Sequence, residues 1–123
     1  MRYLTDRKRA VGKGASHTGT EHHWYMQISA VALAFLLPVW VYIFGHALGQ
    51  GHEAVVATFA RPFPAILTGL VLFVSMRHFA KGAQMMIEDY SHGYTRKALV
   101  IAAISLSYVV IATGLFALAR IAL

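Results

Sequence analysis

The chain has 123 residues, 58% hydrophobic and only 13% charged, with a formal charge of +6 and no cysteine. A typical soluble domain carries about 25% charged residues, so this composition, with its apolar residues in long blocks, describes an all-α integral membrane protein of one domain. The missing cysteines exclude disulfides, iron–sulfur ligation and thiolate zinc within the chain. Its basic residues lie mostly outside the apolar blocks, which is a topology signal before it is a nucleic-acid footprint.

Residues 1–21 form a polar arm in which Arg2, Arg7, Lys8, Arg9 and Lys13 outnumber Asp6 and Glu21. Gly12, Gly14 and Gly19 argue against a stable helix there. The expectation is a solvated cytoplasmic arm, or one that docks on a soluble partner. No signal peptide is expected, because the first apolar segment begins near Ile28 and is too long for an h-region.

The membrane domain is read as residues 22–123. His22-His23-Trp24-Tyr25 marks the interface, where Trp and Tyr favour the headgroup level. The two histidines are adjacent, point to different helix faces and form no chelate by themselves. The first span runs from about Ile28 to Leu48, long enough at ~31 Å to cross ~30 Å of hydrocarbon, with Pro38 in its middle. Gly45-His46 and Gly49-Gln50-Gly51-His52 read as a loop on the far side.

The second span starts at the prolines Pro62 and Pro64, which suit a first turn. Its clean apolar run, Phe63 to Met76, covers only ~21 Å. The helix must therefore continue through Arg77, His78 and Lys81 to about Ile87. A second loop, Glu88 to Lys97, carries Arg96 and Lys97. The third span runs from about Ala98 to Leu118 and is interrupted only by Ser105, Ser107, Tyr108 and Thr113, with Arg120 beyond it. The positive-inside rule places the arm and the Arg96-Lys97 loop in the cytoplasm, giving N-in, C-out with three spans.

The second span holds the candidate site. A titratable group at the centre of a span costs about 2.5 to 3.5 kcal/mol on insertion scales and is tolerated where it meets protein, cofactor or water. A neutral imidazole at His78 can ligate haem iron, provided a second acceptor orients its other nitrogen. Arg77 and Lys81 flank it as candidate partners for anionic propionates. Gly82, one turn on, removes a side chain that would block a flat ligand. The Asp89-Tyr90 pair follows; a phenol beside a carboxylate suits a ubiquinone carbonyl. From the residues alone two plainer readings stay open: His78 as a hydrogen bond to a neighbouring helix, and Asp89-Tyr90 as an interfacial anchor. A bis-histidine haem needs two ligands at one depth. His46 lies near the opposite end, the third span has no histidine, and His22 and His23 precede the first span and read as too shallow, so a second ligand should come from another chain.

The pattern His78-x3-Gly82-x6-Asp89-Tyr90, in a basic three-span chain of this length, resembles the family of succinate dehydrogenase hydrophobic membrane anchors. The likeness to alphaproteobacterial members covers most of the chain, including Gly12-Lys13-Gly14-Ala15, Gly19-Thr20 and His22-His23-Trp24. It implies a bacterial inner-membrane complex that includes a flavoprotein with FAD, an iron–sulfur protein and a second anchor, cytochrome b556. It also implies that His78 supplies one axial ligand to haem b while cytochrome b556 supplies the other. Tyr90, with Asp89 adjacent, would hydrogen-bond ubiquinone. One departure is visible: Gln27 stands in Met26-Gln27-Ile28-Ser29-Ala30 where members often carry an arginine, a candidate propionate contact. Two rival expectations remain: a non-catalytic assembly protein whose His78 only packs, and a proton or ion carrier using Glu88, Asp89 and His78.

Overall fold

A computed structural model describes residues 3–15 and 19–123. Arg2 of the arm and the segment 16–18 lie outside the described residues. Five helices follow in order: α1 Asp6–Val11, α2 Glu21–Ala47, α3 His52–Phe59, α4 Pro62–Tyr90 and α5 Gly93–Ala122.

The short α1 corrects the expectation of a helix-free arm. Thr5 caps it, its hydroxyl accepting from the Lys8 N–H at 3.2 Å, and Asp6 sits in the first turn. Both features offset the unpaired N–H groups and positive end of a helix start. Gly12, at φ 53, ends the helix and donates its N–H to the Lys8 carbonyl. The glycines thus stop this helix without preventing it.

The three long helices overrun the apolar blocks that announced them. The 27 residues of α2 begin at Glu21, not Ile28, because a span continues through the headgroup region after its hydrocarbon-facing stretch ends. It passes Pro38 unbroken. The expected ten-residue second loop shrinks to Ser91 and His92 between α4 and α5. Gly93 takes φ 60 at this corner, a left-handed conformation that glycine adopts at no steric cost. The far-side loop contains α3, which eight residues cannot announce by periodicity. It is pinned by Phe59, buried and tilted against Phe44 at 6.4 Å, while Phe44 stacks on Trp40 at 5.0 Å.

Helix α4 is the middle of the assembly. It packs on α2 at one side and α5 at the other, whereas α2 and α5 do not pack on each other. Each neighbouring pair is antiparallel, and small residues set the spacing. Leu72 of α4 occupies the place where a Cβ on Gly114 of α5 would stand. Gly69 of α4 faces Leu115 and Leu118 of α5, each 3.4 Å from where its Cβ would stand, an ordinary contact. Ser107 and Ile111 complete the buried stripe of α5. Without a hydrophobic drive between helices in lipid, such close approach supplies the dispersion contact that holds them.

Most of the remaining apolar surface is outward. Phe35, Ile66 and Phe116 are 74%, 71% and 66% exposed. A soluble monomer rarely carries such area. Here α2, α4 and α5 are each long and apolar enough to cross a membrane, which accounts for it.

Candidate functional site

Where α2 and α4 cross, their buried faces carry polar groups that satisfy one another. Ser29 of α2 is 5% exposed, and its Oγ lies 2.7 Å from His78 Nδ1 of α4. The same Oγ lies 2.8 Å from the Tyr25 carbonyl and 3.1 Å from the Met26 carbonyl. A serine hydroxyl has one proton and two lone pairs. Carbonyl oxygens can only accept, and with that proton on the Tyr25 carbonyl Oγ is free to accept from an Nδ1–H of His78. In that tautomer Nδ1 carries the proton and Nε2 keeps its lone pair. Nε2 has no hydrogen-bond partner among the described residues.

The register extends in both directions. Met26, one turn before Ser29, ends 3.7 Å from where a Cβ on Gly82 would be, so Gly82 faces α2. Toward the other end, Trp40 Nε1 donates to Thr68 Oγ1 at 3.1 Å, and Thr68 donates to the Pro64 carbonyl at 2.7 Å. Residue numbers rise along α2 as they fall along α4. His46 lies seventeen residues from Ser29, ~25 Å along the axis, which keeps it far from His78.

Arg77 turns away from α2, since neighbouring helical residues diverge by ~100°. Its Nη1 donates to the Tyr108 hydroxyl of α5 at 2.7 Å, and its guanidinium carbon lies 5.6 Å from the ring centroid. Lys81 makes no ion pair among the described residues, where the one ion pair is Arg9–Asp6 at 3.8 Å. The end of α4 is open: Tyr90 is 84% exposed and Asp89 is exposed beside it. Gln84 Nε2 donates to Glu88 Oε1 at 2.8 Å, which occupies that carboxylate within its own helix. The helix persists to Tyr90, so Asp89 shares the angular face of His78 within about 20°.

The structure therefore brings His78 and Gly82 to the α2 face of α4, puts Arg77 against α5, and leaves Asp89 and Tyr90 at the uncovered end. No group of three or more His, Cys, Asp or Glu forms a metal cluster among the described residues. Two participants escaped sequence reasoning, Ser29 and Tyr108. Each is a hydroxyl inside an apolar span, and that is the signal that could have marked them.

A family model for the succinate dehydrogenase/fumarate reductase transmembrane subunit matches residues 1–116. The chain belongs to that family. It is 48% identical over 123 residues to the succinate dehydrogenase hydrophobic membrane anchor subunit of Paracoccus denitrificans, covering 100% of this chain and 95% of that one. No solved structure gives a significant match. The chain is thus a membrane anchor of succinate dehydrogenase. As such it associates with other subunits of that complex. The uncovered end of α4 and the outward apolar faces of α2 and α5 are the surfaces that such an anchor has free for lipid and for those subunits.

Proposed function

We propose that this membrane anchor supplies one axial ligand to haem b through His78 Nε2 and helps to form the ubiquinone site through Tyr90 and Asp89. The observation that carries the reading is the Ser29–His78 pair at 2.7 Å. Metal-ligating histidines almost always donate their other ring N–H to an acceptor that fixes tautomer and orientation. Ser29 is placed to be that acceptor, and Nε2 has no hydrogen-bond partner among the described residues. The donor set fits a haem iron, which takes neutral imidazole.

Each residue has a part in this reading. Ser29 orients the imidazole and raises its basicity. Arg77, with Tyr108 as its partner inside the chain, offers a cation for a propionate. Gly82, on the α2 face with His78, keeps that surface low for a flat ring, with the flexible end of the Met26 side chain as its neighbour. The Tyr90 phenol donates a hydrogen bond to a quinone carbonyl, and Asp89 holds or relays a proton there. Haem b, when bound, supplies one-electron chemistry at this depth.

The second axial ligand then comes from the cytochrome b556 anchor, as the family resemblance implies; His46 is too distant along the span to serve. The flavoprotein and iron–sulfur protein lie at the Tyr90 end, with the chain oriented N-in and C-out in the bacterial inner membrane. Arm and membrane domain divide at residues 21 and 22.

The test is a dithionite-reduced minus oxidised spectrum of the complex purified through this chain, for wild type and His78→Ala. The variant should lose or visibly alter the b-type signal while succinate oxidation with a soluble dye continues. An unchanged spectrum and spin state would leave His78 as a hydrogen bond that ties α4 to α2 and nothing more.

A further inference from the structure

At the end of the helix layer opposite Tyr90, a cavity of about 210 Å³ opens between the end of α2, α3 and the start of α4. Its polar lining is Tyr42, His46, Gln50, Thr58 and Arg61. Arg61 immediately precedes α4, and its guanidinium has no hydrogen bond or ion pair among the described residues. The Tyr42 ring stacks on the His46 imidazole, centroids 6.0 Å apart and 18° between planes, and neither side chain has a hydrogen bond among the described residues. Gln50 Nε2 donates to the His46 carbonyl at 2.8 Å, and Thr58 donates to the Ala54 carbonyl at 2.8 Å, so both side chains are held in place. No carboxylate lines the cavity. Glu53, the acid of α3, projects about 140° away from Thr58 on that helix.

The Arg61, Tyr42, His46 and Gln50 side chains are exposed at this end of the helix layer, Tyr42 at 73%, so the cavity is an open groove whose unpaired arginine, beside hydroxyl and imidazole donors and no acid, offers a site to an anion. Guanidinium matches phosphate oxygens in a two-bond fork. The remaining lining, Ile43 and Pro64 among it, is apolar, so an anion with a hydrocarbon stem fits better than a free one. The position agrees. Arg61 and Gln50 flank the ends of two candidate spans, and Tyr42 lies one to two turns inside, at the depth where aromatic side chains meet headgroups.

The geometry points to a binding site for the phosphate of an anionic phospholipid, gripped by Arg61 with Tyr42 and His46 beside it. The site lies at the membrane face away from Tyr90 and does not depend on the haem or quinone assignments. Bound lipid would fasten α3 and the start of α4 to the end of α2, three elements joined there mainly by aromatic contacts.

The test uses the whole complex, purified through this chain and stripped of lipid by extended detergent washing. Retained phospholipid is counted by native mass spectrometry, and the melting temperature is followed as cardiolipin, phosphatidylcholine or inorganic phosphate is added back. Wild type should hold an anionic phospholipid and melt higher with cardiolipin than with phosphatidylcholine. Arg61→Gln should lose both properties, and Arg61→Lys should recover part of them, with dye-linked succinate oxidation unchanged throughout. Should Arg61→Gln disturb assembly, His46→Leu offers a milder variant and should weaken the cardiolipin response. Equal lipid retention and equal melting shifts in wild type and variants would overturn the site. A full response to inorganic phosphate would overturn the assignment to lipid.

Discussion

Ser29 Oγ and His78 Nδ1 meet at 2.7 Å across the α2–α4 crossing, 49 residues apart in sequence. The contact satisfies one nitrogen of a membrane histidine and, with the serine's own proton on the Tyr25 carbonyl, leaves Nε2 as the nitrogen with a lone pair.

Removing that acceptor should be felt at the metal. Ser29→Ala leaves Nδ1–H without a partner, and losses of this kind typically lower metal affinity about 10–100-fold. The imidazole also becomes a poorer electron donor, which disfavours ferric iron. The expected result is reduced haem content and a raised midpoint potential, with Ser29→Thr close to wild type. Potentiometric titration of the purified complex checks both. Identical content and potential in Ser29→Ala would mean that Ser29 serves helix packing alone.

Tyr90→Phe removes only a hydroxyl from a side chain that is 84% exposed in the single chain, so folding should not suffer. Succinate–ubiquinone reductase activity should fall by roughly 2- to 10-fold, the loss of a phenol–carbonyl hydrogen bond worth about 0.5–1.5 kcal/mol. Succinate oxidation with a soluble dye should persist. Parallel loss of the two activities would indicate failed assembly.

Arg77 has two employments that can be separated. Its partner within the chain is Tyr108, at 2.7 Å. A cation near a haem propionate stabilises the ferrous state, so Arg77→Gln should lower the haem midpoint potential. Tyr108→Phe keeps the charge and should leave the potential nearly unchanged. Matching small effects from both variants would make Arg77 a strut between α4 and α5.

Gly114 tests the packing of the outer pair. Leu72 fills the space that any side chain there would need. Gly114→Ala should be tolerated if the Leu72 side chain rotates aside, whereas Gly114→Leu should destabilise by about 1–3 kcal/mol, the usual cost of overpacking. Thermal denaturation of the complex in detergent measures the difference. A Gly114→Leu complex as stable as wild type would show that α5 is held by partner subunits instead.

The sequence carried the number of long helices and the stretch on which the site lies. An apolar block of about 20 residues is a local property, and so is the cost of placing Arg77, His78 and Lys81 beside one. The spacing from His78 to Tyr90 was also legible, because α4 runs unbroken through both. Three things were decided only by tertiary structure. Ser29 and Tyr108 act through partners 49 and 31 residues away, and the direction each faces depends on how α2 and α5 rotate about their axes. Spans that are apolar on every side carry no moment to fix that rotation; close packing at small residues fixes it instead. Helix α3 is the third case. Eight residues are too few for a periodic signal, and its place depends on Phe59 finding Phe44 of α2, a contact between two helices that no local pattern announces.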